Sequence, residues 1–237
     1  MKKSLILLAL GALATVAQAE TIVIKGSDTL GAKMVPQLAE AYKASGKDAN
    51  FEIAAEGSST AFSALKAGEA QIGMSSRDVK DSEKAELPGL KEHIAGIDMI
   101  GVIVNKANGV EGYKTFQKLG MGGRDYGSNT QKMAGNEQIA QEVGKNANGV
   151  GYVGLAYTEA NGVKPVTVEG IAATPENATK YDLARNLYYY TVGMPEGEAG
   201  EFLKWATSDP AAASIVEKVG FISYANKKSL IKKLLGK

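Results

Sequence analysis

One unit is repeated three times in the first third of the chain: an apolar run, a small polar loop and a run at helical spacing. "TIVIKGSDTLGAKMVPQLAEAY" opens with a β-branched strand over 21–24 and turns at Gly26. It continues with Met34, Val35, Leu38, Ala41 and Tyr42 on one helical face. "FEIAAEGSSTAFSALKAG" repeats the unit, with a strand over 51–55, a loop over 56–59 and a helix over 60–67. "AQIGMSSRDVKDSEKAEL" repeats it again, with a strand over 71–74, a loop over 75–77 and a polar helix near 81–86. Strands alternating with short helices predict an α/β fold with a parallel or mixed sheet, whose ligand lies outside the carboxyl ends of the strands. All three loops are expected at such ends.

Further along, "IAGIDMIGVIVNK" and "NGVGYVGLAYTEANGVKPVTV" read as apolar strands punctuated by Asn-Gly turns. "NLYYYTVG" reads as a strand whose tyrosines alternate in burial. "EGEAGEFLKWATSDPAAASIVEKVGF" gives two helical segments around Asp209-Pro210, and the tail "SLIKKLLGK" a basic amphipathic helix docked on its own domain.

The N-terminus bears on compartment. Lys2 and Lys3 precede an apolar run over 5–16 and then Ala17-Gln18-Ala19, the pattern of a cleavable secretory signal over 1–19. The run is shorter than the roughly 20 residues that span a bilayer. Cleavage after Ala19 leaves 237 − 19 = 218 residues, and loss of the two lysines takes the formal charge from +1 to about −1. That balance argues against nucleic acid or an anionic membrane as partner. The chain has no cysteine, which excludes disulfides, thiolate metal sites and a lipidated N-terminal cysteine. The expected protein is a soluble, periplasmic monomer without a lipid anchor.

The loops carry the chemistry. A helix N-terminus presents unpaired N–H groups and a partial positive charge, and Gly, Ser and Thr let the backbone approach an anion while adding hydroxyl donors. Ser27, Asp28 and Thr29 make the first such loop, Gly57 to Thr60 the second, and Ser75 to Arg77 the third; Arg77 is one of three arginines in the chain. Helix capping alone accounts for any one of these loops. Three in succession predict a site that surrounds a small oxyanion, its serines serving as donors as well as caps.

"IKGSDTLGAKMVPQLAEAY", "EGSSTAFSALKAGEAQIGMSSRDVKDSE", "NANGVGYVGLAY", "YDLARNLYYYTVG" and "FLKWATSDPAAASIVEKVGFISY" resemble, in order, the signatures of the periplasmic phosphate-binding proteins of Pst-type ABC importers. The resemblance implies a type II periplasmic binding-protein fold, with two α/β lobes joined by two crossing strands. Lobe 1 would comprise 20–104 and 191–237, and lobe 2 105–190. It implies capture of inorganic phosphate for a membrane ABC permease complex, with no cofactor, metal or catalysis. By position, Thr29 and Leu30 match the first phosphate loop and Ser58 the second, with Ser59 beside it. Ser76 falls where some members carry an aspartate that accepts a proton from phosphate, and Ser76-Arg77 is the pair found in others. Asp28 is then the nearest carboxylate for that task, which would favour phosphate over sulfate.

One departure stands out. Family members continue after the first crossing strand to an Arg-x-x-x-Ser-Gly-Thr motif that grips phosphate from the second lobe, whereas here a segment is missing between Gly112 and Tyr113, so the second lobe is expected to be shortened. Arg124 and Ser128 in "GGRDYGSNTQ" imitate that motif and are its candidate substitutes. Binding of another oxyanion, or a truncated relative acting only as an interaction module, are the alternatives.

Other patterns point to ordinary structure. Gly149, Gly151 and Gly154 satisfy G-x-G-x-x-G but precede a turn, which suits a strand under close backbone approach rather than a dinucleotide site. Ser63 and Lys66 form S-x-x-K without the companion motifs of acylating enzymes. His93 is the only histidine, so a zinc site or a serine hydrolase has nothing to build on, and Asp78 with Asp81 and Glu83 reads as a solvated helix start.

Overall fold

The computed structural model describes residues 19–107, 128–131 and 133–224. Most of the expected signal, the Gly112-Tyr113 seam, Arg124 and the basic tail lie outside the described residues.

Strands β1 (Glu20–Gly26), β2 (Ala49–Ala55) and β3 (Ile72–Ser75) pair in parallel, with β1 in the middle. Gly26 stands opposite Ala55 on one side and Met74 on the other, so the three strands end at one level. Their loops therefore leave from a single edge, as the repeated unit predicts. The first leads into a one-turn helix α1 (Asp28–Gly31) and then α2 (Met34–Ala44), the second into α3 (Ser58–Ala67), the third into α4 (Asp81–Ala85). Helix α3 begins earlier than the sequence suggests. Ser58 and Ser59 sit in its first turn, behind Gly57, whose φ of 106° is left-handed backbone that glycine enters without strain.

Strand β4 (Leu90–Asn105) is sixteen residues long and serves both halves of the sheet. Its first part runs antiparallel to β7 (Ala184–Val192) and touches β8 (Ile222–Ser223). Its second part pairs with β5 (Val150–Gly154) and β6 (Val163–Val166). Strand β7 also pairs antiparallel with β3, so the spatial order is β2-β1-β3-β7-β4-β5. Two α/β lobes thus share two long strands that cross between them.

Helix α2 packs with α6 (Gly197–Ser208) and α7 (Pro210–Val219) on one face of the larger lobe, around Ile22, Leu38, Tyr42, Phe202 and Phe221. The turn between α6 and α7 is made as expected by Asp209, whose carboxylate accepts the N–H of Ala211, with Pro210 opening the helix. Helix α3 covers the other face over Phe62, Leu65, Tyr188 and Tyr190. The expected alternation of burial in "YYY" fails because β7 has a core on each side. Tyr189 points into the α2 face and its two neighbours into the α3 face, and all three are buried.

The smaller lobe packs α5 (Asn136–Lys145) on β5, with Ile103, Ala140, Val143 and Val153 between them. At Gly151 a Cβ would lie 2.8 Å from methyls of Ile139 and Val143, so this glycine lets the helix sit close to the strand. No helix among the described residues is long and apolar enough to cross a membrane.

Candidate functional site

The backbone knits the first two loops together where the strands end. Ser27 N–H donates to the Met74 carbonyl at 2.7 Å, and the N–H groups of Glu56 and Gly57 both donate to the Gly26 carbonyl at 2.8 Å. Gly26 permits this crossing: its φ is 138°, and a Cβ there would stand 2.1 Å from the Met74 oxygen.

Side chains then join the second loop to the third. Ser58 Oγ accepts the Ser76 N–H at 3.1 Å and lies 3.4 Å from Ser76 Oγ, and Ser59 Oγ accepts from Arg77 Nη2 at 3.1 Å. Ser75 Oγ donates to the Arg77 carbonyl at 2.7 Å and accepts the Arg77 N–H. The capping role expected of these serines is not realised, since neither α1 nor α3 has a side-chain bond at its N-cap. The Ser58 and Ser59 hydroxyls bridge to the third loop instead, and Ser75 bonds within its own loop. Among the described residues only α3, at ten residues, brings a developed helix N-terminus to this edge, because α1 is a single turn and α4 starts four residues beyond Arg77.

Arg77 is tightly held. Its guanidinium forms a two-pronged pair with Glu83, Nη1 to Oε2 at 2.8 Å and Nη2 to Oε1 at 2.7 Å, gives a further bond to the Asp78 carbonyl and lies over the Phe62 ring. The Glu83 carboxyl is lowered below the usual range, first by that hydrogen bond, and the Arg77 pKa is raised by the same contact. Asp78, read from the sequence as part of a solvated helix start, instead accepts from the Tyr188 hydroxyl.

A cavity of about 370 Å³ opens beside this cluster, lined by Ser76, Arg77, Asp78, Ile97, Arg185 and Asn186. Arg185, which the sequence reading did not single out, stands directly opposite Asp98 across β4 and β7. Its Nε and Nη2 donate to Asp98 Oδ2 at 3.1 and 2.8 Å, and Nη2 also reaches Thr29 Oγ1 at 3.3 Å. Asp98 is wholly buried, and its Oδ1 accepts the Leu155 N–H at 2.8 Å. Burial pushes its carboxyl pKa up, opposed by Arg185 and the backbone N–H groups. The clue in the sequence is Asp98 itself: a lone carboxylate inside "IAGIDMIGVIVNK" needs a cation.

The remaining expected site residues fall as follows. Ser27 and Thr29 are buried at the first loop, and Leu30 is buried in the core, leaving only its backbone for a ligand. The Asp28 carboxylate does not face the cavity but reaches the smaller lobe, where its Oδ2 accepts the Asn136 N–H at 3.2 Å and Asn136 Nδ2 at 2.8 Å. Asn136 Oδ1 in turn accepts the Gly154 N–H at 2.8 Å. Ser128 is exposed, and no bond joins it to the three loops among the described residues.

The patterns set aside in the sequence occupy ordinary positions. His93 Nε2 lies 2.9 Å from Thr191 Oγ1, with burial lowering its pKa, Ser63 bonds carbonyls of its own helix, and Lys66 pairs with Glu86.

Residues 13–119 match the model of a PBP superfamily domain. The phosphate-binding protein PstS of Pseudomonas aeruginosa is 28% identical, over 83% of this chain and 81% of its own. That alignment runs over 264 positions, whereas 83% of 237 residues is about 197, so about 67 positions belong to the relative alone. A Clostridium perfringens substrate-binding protein solved with bound phosphate is 28% identical, with a TM-score of 0.75 over 86% of this chain and 99% of that one. An ABC-type phosphate transport receptor from Vibrio cholerae, 21% identical over the same shares, has the same fold at a TM-score of 0.69. The fold is the type II periplasmic binding-protein fold, and the chain resembles the Pst-type phosphate-binding proteins along most of its length.

Proposed function

We propose that this chain, with its type II periplasmic binding-protein fold, is an extracytoplasmic solute-binding protein that captures inorganic phosphate and passes it to a membrane ABC permease complex. The observation that carries the reading is the common level at which β1, β2 and β3 end, which gathers the hydroxyls of Thr29, Ser58, Ser59 and Ser76 and the N-terminus of α3 at one edge. The phosphate-binding relatives in Pseudomonas aeruginosa and Clostridium perfringens support the choice of anion.

Binding of this kind needs no bond making. A small anion is exchanged from water to oriented N–H and O–H donors, and closing the lobes strengthens each contact by removing solvent. Ser27, Asp28, Leu30 and Gly57 shape the loops, Arg77 fixes the third loop against the second, and Arg124 and Ser128 are the contributions proposed from the smaller lobe. The apolar run over 5–16 supports export by a cleaved signal, with the mature chain working as a periplasmic monomer.

Titration calorimetry of residues 20–237 with phosphate and with sulfate tests the reading. Phosphate should bind near ~1 μM, roughly −8 kcal/mol, and Ser58→Ala should weaken it roughly tenfold by removing a donor and freeing Ser76; with Asp28 engaged by Asn136, the sulfate titration shows whether the anion is selected at all. No heat with phosphate, from a protein with a cooperative unfolding transition, overturns the proposal.

A further inference from the structure

We infer that Arg185, on the second crossing strand, supplies the guanidinium that grips the anion, and that the buried Asp98 is its positioning residue. The inference rests on the oxyanion reading above and assigns a contact that the loops alone do not provide.

An anion taken out of water needs a charged donor whose hydrogens are free. Arg77 is poorly placed for this, because Glu83 takes both of its terminal nitrogens, one of which also serves the Asp78 carbonyl and the other Ser59. Arg185 differs. Its bonds to Asp98 and Thr29 use Nε and Nη2, and among the described residues Nη1 has no partner. Arg77 and Arg185 line the same cavity at 30% and 29% exposure, so what separates them is the free Nη1 of Arg185 and its counter-ion Asp98, 0% exposed behind it. The pair is therefore a fixed dipole with its positive end turned to the cavity. A charge held in advance costs no reorganisation when the anion arrives.

The mounting is also rigid. Asp98 and Arg185 are cross-strand partners in the antiparallel β4–β7 ladder, and Asp98 is held from its other oxygen by Leu155 N–H. Arg185 reaches Thr29 of the first loop from there, so one guanidinium touches the larger lobe's loop edge while its counter-ion is anchored to the residue that follows β5. An ordinary structural ion pair between two strands would need neither the open face nor the contact to Thr29.

The first experiment uses the wild-type mature protein. Phenylglyoxal modification, mapped residue by residue by peptide mass with and without phosphate, should show Arg185 reactive in the free protein and protected in the bound one. Calorimetry of Arg185→Gln should then show phosphate affinity reduced roughly 100-fold, as for two lost bonds to a charged group, and Arg185→Lys should recover part of it by restoring the charge. Asp98→Asn should weaken phosphate less than Arg185→Gln, since it loosens the guanidinium without removing it. Equal modification of Arg185 with and without phosphate, in a protein that binds phosphate, overturns the inference and leaves the proposed function standing. Affinity of Arg185→Gln within about threefold of wild type does the same. Failure of the wild-type protein to bind phosphate overturns the proposed function, and the inference with it. If Arg185→Gln does not fold, the protection experiment decides alone.

Discussion

Replacing Asp28 by Ala should loosen the contact between the lobes. The Asp28 carboxylate accepts two donors from Asn136, one of them the first backbone N–H of α5, so it serves as a cap supplied from the other lobe. Loss of an acceptor at a helix N-terminus costs about 1 kcal/mol, and a side-chain bond to a charged acceptor contributes about 1.5–3 kcal/mol. The half-buried position leaves part of this to water, so about 2–4 kcal/mol is expected in all. For a chain of this size, at roughly 2–4 °C per kcal/mol, the midpoint of thermal unfolding should fall by about 5–15 °C. Asp28→Asn keeps one acceptor oxygen and should lose about half as much. Gly135→Ala, whose new Cβ would stand 2.8 Å from Asp28 Oδ1, should act on the same contact from the opposite side. Calorimetric unfolding of the four proteins provides the assay. A midpoint for Asp28→Ala within about 2 °C of wild type would refute the reasoning, because it would mean that water replaces the Asn136 donors at no cost.

Two further outcomes follow from the same contacts. Glu83 is held ionised by Arg77, so its folded pKa lies below the unfolded one near 4.5. Its contribution is therefore complete above that pH and lost as pH falls through the lower folded value. Urea midpoints of wild type and Glu83→Gln, measured from pH 7 to pH 3, should converge at the acid end; a gap that stays constant would sink the assignment. The Tyr189 hydroxyl is buried without a hydrogen-bond partner among the described residues. Tyr189→Phe should therefore keep or raise stability, by up to about 1–2 kcal/mol, and a loss of more than about 1 kcal/mol in denaturant unfolding would show that the hydroxyl has a partner after all.

The parts of this molecule that the sequence discloses are those governed by local rules. A β-branched run, a Gly-Ser loop and a helical stripe each fit within a dozen residues, so the sequence alone assigns Ser27, Ser58 and Ser76 to one edge. What escaped was pairing at a distance. Asp98 and Arg185 are 87 residues apart, and Asp28 and Asn136 108 apart; no periodicity connects either pair. The β4–β7 register creates the first, and the approach of α5 to the first loop creates the second. Arg77 shows the same at short range: Glu83, six residues on, folds back over it and takes both terminal nitrogens, a pairing that its Ser-Arg context does not disclose.

These misses share a physical origin. A loop hydroxyl is neutral and finds a partner among neighbouring backbone groups and side chains at little cost, whereas a guanidinium or carboxylate near the interior must find its counter-charge as the chain folds. Neutral donors therefore stay where the local sequence puts them, and charged groups are claimed by whichever strand the tertiary structure lays beside them. The hydroxyls of Thr29, Ser58 and Ser76 accordingly lie at the edge where the repeated unit puts them, while Asp28 and Arg77 are paired with Asn136 and Glu83. Arg77 and Arg185 both line the cavity, but Glu83 occupies both terminal nitrogens of Arg77, whereas Asp98, wholly buried behind Arg185, takes only Nε and Nη2.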